Sequence, residues 1–415
     1  MSAVEKESQF AATSWAGDLP KAWSEVHLRW LARLYAGGTP DKSKDEYWAD
    51  GTIPWINSGA VNQGLVTEPS AYISQAGFDR SSARWVPEGA LVMALAGQGK
   101  TKGMVAQMGF SATCNQSMAA IVPSSINARF LFYWLTANYR RIRSGASDDL
   151  RDGLNLQMLG DIPCPVPPTN EEQAHIANFL DDKTARIDAL IAEKEGLLKT
   201  LVELRTSVIW SAVTGQSHAK RQSLLGAEWS PDIPIHWKVT PVGRFARLQR
   251  GFDLPDELRT EGNVAVMSGG GVSGWHNFAQ VKGPGVVTGR YGTIGVLHYV
   301  EDDFWPLNTS LYVSDFFGNN EKYAYYVLSF LPWEMLGGKS AVPGVNRNDV
   351  HPLLVGVPPR TEQDQIVLRL DAKFAAFEKV MTHATQHIAR LREYRSSLIS
   401  SAVTGQINVE TKTQS

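Results

Sequence analysis

Cysteine is scarce. The chain has two in 415 residues, Cys114 and Cys164. Two thiols build neither a metal cluster nor a disulfide framework, so both are expected to be reduced and structural, as suits the cytoplasm. Net charge is also nearly missing, at −2. That excludes a generally basic nucleic-acid coat and confines any such contact to local patches. No apolar run approaches the ~18 residues of a membrane helix, and the opening residues lack a basic-then-apolar targeting pattern. The nine histidines are scattered without metal-ligand spacing, so no metal site is expected. What remains is ordinary globular composition, 43% hydrophobic and 20% charged, in a chain long enough for two or more domains.

The chain is organised around one stretch and its copy. Glu172 to Gln216 and Glu362 to Gln406 both open with Glu-Gln after a Pro-Pro turn. Both close with Ser-Ala-Val-Thr-Gly-Gln, at a constant offset of 190 (401 − 211). The repeat extends further. Asp18-Leu-Pro-Lys-Ala-Trp23 is echoed by Asp232-Ile-Pro-Ile-His-Trp237, Ala32-Arg33-Leu34 by Ala246-Arg247-Leu248, and Gly153-Leu-Asn155 by Gly344-Val-Asn346.

Each copy reads as a long helix with a coiled-coil seam. In the first the seam is Ile176, Leu180, Ile187, Leu190, Leu197, Leu201 and Leu204. In the second it is Ile366, Leu370, Phe377, Leu391 and Leu398. Thr169 or Asn170 with Glu172 or Gln173 is a capping signature, Thr361 is the expected second cap, and Gly215 and Gly405 sit where C-cap glycines belong. About 40 residues make a rod of roughly 60 Å. An apolar seam must be buried, and the natural partner is the other copy. Antiparallel pairing relates the repeats by an approximate two-fold axis; packing of each helix on its own domain is the simpler alternative.

The expected fold class is α+β: two mixed α/β domains joined by two long helices in an antiparallel coiled coil with pseudo-two-fold symmetry. The boundaries are a first domain at 15–168, a first spacer helix at 169–216 and a polar linker at 217–230. A second domain at 231–359, a second spacer helix at 360–406 and a loose tail at 407–415 follow. Within the domains, apolar runs such as Ala90–Met93, Gly285–Val287 and Ile294–Leu297 read as strands. Ala128–Ile142 and Tyr323–Met335 read as helical stretches, each before a Pro-bounded strand. The long helices resemble one another, but the domain middles, about Lys42–Ala90 and Leu254–Lys282, do not. Similar frames with different surfaces point to two modules that recognise two different things.

No catalytic constellation emerges. Gly97-Gln-Gly99-Lys100-Thr101 imitates a phosphate loop, but position 94 is Ala where Gly is needed, and the following residues read as turn and strand. The better reading is a hairpin tip, with Gly289-Arg-Tyr-Gly292 at the comparable place in the second domain. Pro167-Pro168 and Pro358-Pro359 are helix-entry turns, not a methyltransferase motif.

Basic and aromatic residues do interleave, and phosphates attract Lys and Arg while Asn, Gln, Ser and Arg read base edges. The candidate DNA-contacting residues of the first domain are Lys42, Lys44, Tyr47, Trp55, Asn57, Ser58, Gln98, Lys100, Lys102, Arg143 and Arg151. Those of the second are Ser268, Arg290, Tyr291, Lys339, Arg347 and Asn348.

Three groups of residues carry a family resemblance: Leu34-Tyr-Ala-Gly-Gly-Thr-Pro40 with Tyr47-Trp-Ala-Asp-Gly-Thr-Ile-Pro-Trp55, Pro167-Pro168 leading to Glu172-Gln173-x-x-Ile176, and the duplicated Ser-Ala-Val-Thr-Gly-Gln. In this order the chain resembles the specificity subunits of type I restriction–modification systems, from about Asp18 to Gln406. The resemblance implies two target-recognition domains, each reading half of a bipartite, asymmetric DNA sequence, on a coiled coil that fixes the half-site spacing. It implies no catalysis and no directly bound cofactor. Two methyltransferase subunits would use S-adenosylmethionine on adenine, and two translocating endonuclease subunits would use ATP and Mg. The second domain departs from the pattern, reading Gly251-Phe-Asp-Leu-Pro255 where the first has Gly-Gly-Thr-Pro. Two other readings stand beside this one: an adaptor binding glycans or peptides across the spacer, and a nucleotide-dependent DNA enzyme, which would need Lys100 to hold phosphate.

Overall fold

The computed structural model describes residues 14–97, 100–145, 153–223, 232–336 and 344–409. It divides the chain into two compact units, one of residues 1–193 with 387–415 and one of residues 194–386. Each unit therefore contains one globular domain, part of one long helix and part of the other.

In the first unit, a five-stranded sheet runs Ala32–Ala36, Met118–Pro123, Leu91–Ala94, Val105–Met108, Leu65–Val66. A four-stranded sheet runs Ala71–Ile73, Ile53–Ile56, Ala112–Cys114, Trp85–Val86. The expected helical stretch is two helices, Ala128–Ala137 and Tyr139–Gly145. The second unit has a four-stranded sheet, Arg247–Arg250, Ser310–Asp315, Gly285–Gly289, Leu297–Val300, and a three-stranded sheet, Gly271–His276, Val264–Ser268, Phe304–Pro306. Its helical stretch is likewise divided, into Glu321–Leu328 and Trp333–Leu336, because Pro332 cannot continue a helix. The Pro-bounded strands, Pro163–Val166 and Leu354–Val357, pair antiparallel with Ser24–His27 and Lys238–Pro241 near the start of their domains.

The two long helices are Asn170–Val213 and Arg360–Val403. Within the first unit, Ile176, Ala177 and Leu180 share a core with Ile399, Ala402 and Val403, and Arg395 donates to Asp188 at 3.1 Å. Within the second, Val213 shares a core with Ile366, Leu370 and Phe374, and Arg205 pairs with Glu378 at 3.4 Å. As one helix advances the other retreats, so the segments run antiparallel in each unit.

The seam differs from the expected one at Leu190, Leu197 and Leu204 of the first helix, while Ile366, Leu370, Phe377, Leu391 and Leu398 of the second all face inward as expected. Leu190, Leu197 and Leu204 are 43–45% exposed, whereas Ile187, Ile191 and the half-buried Leu198, Leu201 and Arg205 face inward. In the second helix Phe374, Ala384 and Ile388 are buried, with Phe377, Leu391, Arg395 and Leu398 half-buried. The spacing is 176, 180, 184, 187, then a regular 4-3 alternation, and likewise 366, 370, 374, 377. One extra four-residue step at each helix base rotates the stripe. That step lets Thr184 and Phe374 pack on the helix's own domain before the partner segment takes over.

The termini of the long helices explain the repeated motifs. Thr169 caps the first, its hydroxyl accepting the Glu172 amide at 3.1 Å. Thr361 does not cap the second: it lies inside the first turn, and the Glu362 and Gln363 amides donate to the Pro359 carbonyl. At the C-termini, Gly215 and Gly405 adopt φ of +63° and +69°. The Gln216 and Gln406 amides reach back to the carbonyls of Ser211 and Ser401, both at 2.9 Å, which closes each helix with a Schellman turn. Any Cβ at Gly405 would meet Pro20 and Trp23, and any Cβ at Gly215 would meet Pro234 and Trp237. Thus the repeated Thr-Gly-Gln of each helix docks on the repeated Pro-x-x-Trp of the other copy's domain.

Trp23 and Trp237 then donate their indole N–H to Glu172 and Glu362, both at 3.0 Å. Gln173 and Gln363 accept from the amides of Asn127 and Asn320 and donate to the carbonyls of Pro167 and Pro358. The Glu-Gln pair is thus spent on clasping the domain rather than on a capping box. Two turns on, Tyr133 and Tyr326 donate to Asp181 and Asp371. Burial first and the Asp181 bond second push the Tyr133 hydroxyl up to about 12.

The boundary segments are more ordered than expected. Arg221–Gln222 pairs with Ile233–Pro234, so the described part of the linker is structured. Ile407 and Val409 pack on the first core, so the described start of the tail is not loose. Residues 224–230 and 410–415 lie outside the described residues. Both cysteines are buried, and burial pushes the Cys114 thiol up to about 12 and Cys164 further. Among the described residues, no helix is long and apolar enough to cross a membrane.

Candidate nucleic-acid interface

Both domains present loops at the same end of their larger sheet. In the first, Ala36, Met118, Ala94 and Val105 lie at that end. In the second, Arg250, Ser310, Gly289 and Leu297 do. The backbone framework there is duplicated. The Leu95 amide donates to the Ser117 carbonyl and the Leu154 amide to the Leu95 carbonyl. The Arg290 amide donates to Thr309 and the Val345 amide to Arg290 in the same pattern. Asn155 and Asn346 both cap the short helix that follows.

This frame carries different side chains. In the second domain Gln249, Arg250, Arg290, Asn346 and Arg347 line a cleft of ≈ 480 Å³ with Gly251, Phe252, Asp253 and Leu311. Arg290 lies over the Tyr291 ring, its Cζ 4.9 Å from the ring centre, in a cation–π contact. Arg250 reaches the Asn308 carbonyl at 3.4 Å, and Asn308 in turn holds the Asp253 carboxylate. At the positions equivalent to Arg250, Arg290 and Arg347, the first domain has Ala36, Leu95 and Leu156.

The first domain puts its cations elsewhere. The hairpin after Leu91–Ala94 is pinned to the helix Tyr139–Gly145. Tyr139 donates to the Lys100 carbonyl at 2.6 Å, and Arg143 to the Lys102 carbonyl at 3.4 Å. Lys100, Lys102 and Arg143 therefore come together, with Lys100 exposed and Arg143 committed to holding the loop. The chain then enters the strand Val105–Met108. The described residues after Lys100 form this turn and strand rather than the helix that a phosphate loop leads into.

The remaining candidates divide by burial. Lys42, Asn57, Arg347 and Asn348 are exposed, and Ser58 is half-buried; the Asn57 side chain caps the turn at Gly59. Tyr47 and Trp55 correct the sequence reading, being 4% and 6% exposed. Trp55 packs edge-on to Trp48 and donates to the Gly38 carbonyl, and Lys44 sits on the Tyr47 ring. The Ser268 hydroxyl is spent on the turn to Gly271. Gln98, Arg151 and Lys339 lie outside the described residues. Sequence reasoning missed Gln249 and Arg250. Their signal was adjacency to Gly251, the counterpart of Gly37.

Residues 20–199 match the type I restriction modification DNA specificity domain. Over 95% of its length the chain is 22% identical to the specificity subunit of the Escherichia coli type I restriction enzyme EcoDI, covering 91% of that subunit. Residues 20–199 thus carry the match to a type I specificity domain, and the chain as a whole is similar to the specificity subunits of type I restriction–modification systems. A shorter alignment reaches 30% identity with the EcoR124I/EcoR124II specificity subunit of Escherichia coli. It spans 39% of this chain and less than half, 42%, of that subunit.

The fold of this chain is similar to that of a solved chain described under complex assembly and conformational transition of the type I R-M system. There the TM-score is 0.68 at 16% identity, covering 94% of this chain and all of that one. The HsdS subunit from Thermoanaerobacter tengcongensis gives 0.52 at 16% identity, covering 94% and 98%. The α+β class, with two mixed domains and two long helices, is thus shared with these solved structures. The domain match ends at residue 199, before the second domain, whose Gly251-Phe-Asp-Leu-Pro255 departs from the first domain's pattern.

Proposed function

We propose that this specificity subunit reads a bipartite, asymmetric duplex-DNA target, one half with each domain. The observation that carries the reading is the duplicated backbone frame whose side chains differ at three equivalent positions, Arg250, Arg290 and Arg347 against Ala36, Leu95 and Leu156. Arginine pairs with phosphate and, in bidentate fashion, with guanine edges, so the second cleft suits a DNA groove. The repeated helices set the half-site spacing and scaffold two methyltransferase subunits, with two endonuclease subunits in the full complex. The chain itself is non-catalytic and holds no cofactor. S-adenosylmethionine serves the methyltransferase and ATP with Mg the endonuclease. Against the nucleotide-enzyme reading stands the hairpin at Lys100, and against the glycan or peptide adaptor stands the three-arginine cleft.

The test uses the assembled complex with its methyltransferase subunits. R250A/R290A/R347A is expected to weaken binding to target duplex by at least about tenfold. It is also expected to flatten the log–log salt dependence by roughly one for every phosphate no longer neutralised. Unchanged affinity and an unchanged salt slope would remove this cleft from the interface.

A further inference from the structure

We propose that His218, His236 and Glu362 form a binding site for a divalent transition-metal ion of the zinc class. They come from three segments of the second unit: the end of the first long helix, the start of the domain and the base of the second long helix. Their ligating atoms lie within 4.8 Å of one another. His236 Nε2 is 2.9 Å from Glu362 Oε2, His218 Nε2 is 3.5 Å from Glu362 Oε1, and the two imidazoles are 5.1 Å apart. A tetrahedral ion with bonds of about 2.0–2.1 Å spaces its ligands by roughly 3.3 Å, which small rotations of these partly exposed rings reach.

The surrounding bonds prepare the ligands. His218 Nδ1 lies 3.3 Å from the Gly215 carbonyl, an acceptor only, so in the neutral ring Nδ1 carries the proton. In that tautomer Nε2 offers its lone pair on the side of the Glu362 carboxylate, the form in which imidazole ligates a metal. Trp237 Nε1–H, at 3.0 Å, fixes the carboxylate. A carbonyl holding one imidazole and an indole holding the carboxylate are the outer contacts that orient metal ligands. Two imidazole nitrogens select zinc-class ions over magnesium or calcium. The histidines look scattered in the sequence because Glu362 lies 126 positions beyond His236, and only folding gathers the three ligands.

The chain contains its own control. The first unit keeps the Trp23–Glu172 bond but has Ala22 and Asn408 where the second has His236 and His218. The clasp therefore folds without the histidines, and H218N/H236A imports residues the repeat already tolerates. Purified full-length chain, stripped with EDTA and dialysed against zinc alone, is expected to retain one ion per chain and to melt at a higher temperature than in EDTA. H218N/H236A is expected to melt as the native chain does in EDTA, to lose the zinc-dependent shift and to bind at least about tenfold more weakly. Cobalt(II) substitution gives a second readout, a visible d–d spectrum present in the native chain and absent from the variant. No retained zinc in the native chain, or equal retention by H218N/H236A, would overturn the site.

Discussion

His351 is a titratable side chain beside the proposed reading cleft of the second domain. The Leu248 amide donates to its Nε2 at 3.0 Å. Burial, then the Arg347 and Arg247 charges, lower its pKa below the ordinary 6.5. Between the two values the unfolded chain binds more protons than the folded one. The stability this group contributes is therefore complete above pH ~6.5 and is lost as pH falls through the folded value. On acidification from pH 7 to 5, the melting temperature is expected to fall further in the native chain than in His351→Gln, whose amide oxygen accepts the same bond. Equal slopes would show that His351 is not the group involved. Legibility at this scale was uneven. Arg290, Arg347 and the Trp–Glu pairs stand out in the repeat, but Trp55 and Tyr47 look identical in sequence whether they face DNA or core. Only packing against Trp48 and Gly38 decides it for Trp55.

At the scale of elements, the long helices were legible to within a few residues, and their inward faces except at Leu190, Leu197 and Leu204. Leu190-Ile191 and Leu197-Leu198 offer adjacent apolar residues, so the pattern alone leaves two stripes open. Lys373-Phe374 and His387-Ile388 do discriminate, since Phe and Ile are the residues to bury, and the structure buries both. Phe374 is 6% exposed, with the Arg205 guanidinium 4.8 Å from its ring centre and Tyr326 beside it. Phe374→Ala is expected to cost about 3–5 kcal/mol by leaving a cavity. Leu197→Ala, at a 43% exposed position, is expected to cost well under about 1 kcal/mol. Denaturant unfolding of the two variants side by side checks the seam; equal losses, or a larger one at Leu197, would restore the stripe read from the sequence. The docking of Gly215 on Pro234 and of Gly405 on Pro20 was hidden for another reason. The two motifs are obvious as repeats, but nothing in a linear sequence says that each meets the other copy's partner.

At the scale of the whole molecule, duplication supplies the frame and divergence supplies the two surfaces. The internal repeat made the domain order readable, while the target itself is not written in any motif, because base readout depends on how loops of different sequence sit on equal strands. The central claim is that each domain reads its own half of a split target. The most direct measurement is the map of adenine methylation across the genome of cells expressing this chain with the proposed partner methyltransferase, native against R250A/R290A/R347A. The account predicts a motif of two short blocks at a fixed gap in the native case. In the variant, one block relaxes or disappears while the other block and the gap persist. A single contiguous motif, or loss of both blocks together from an assembled complex, would contradict it.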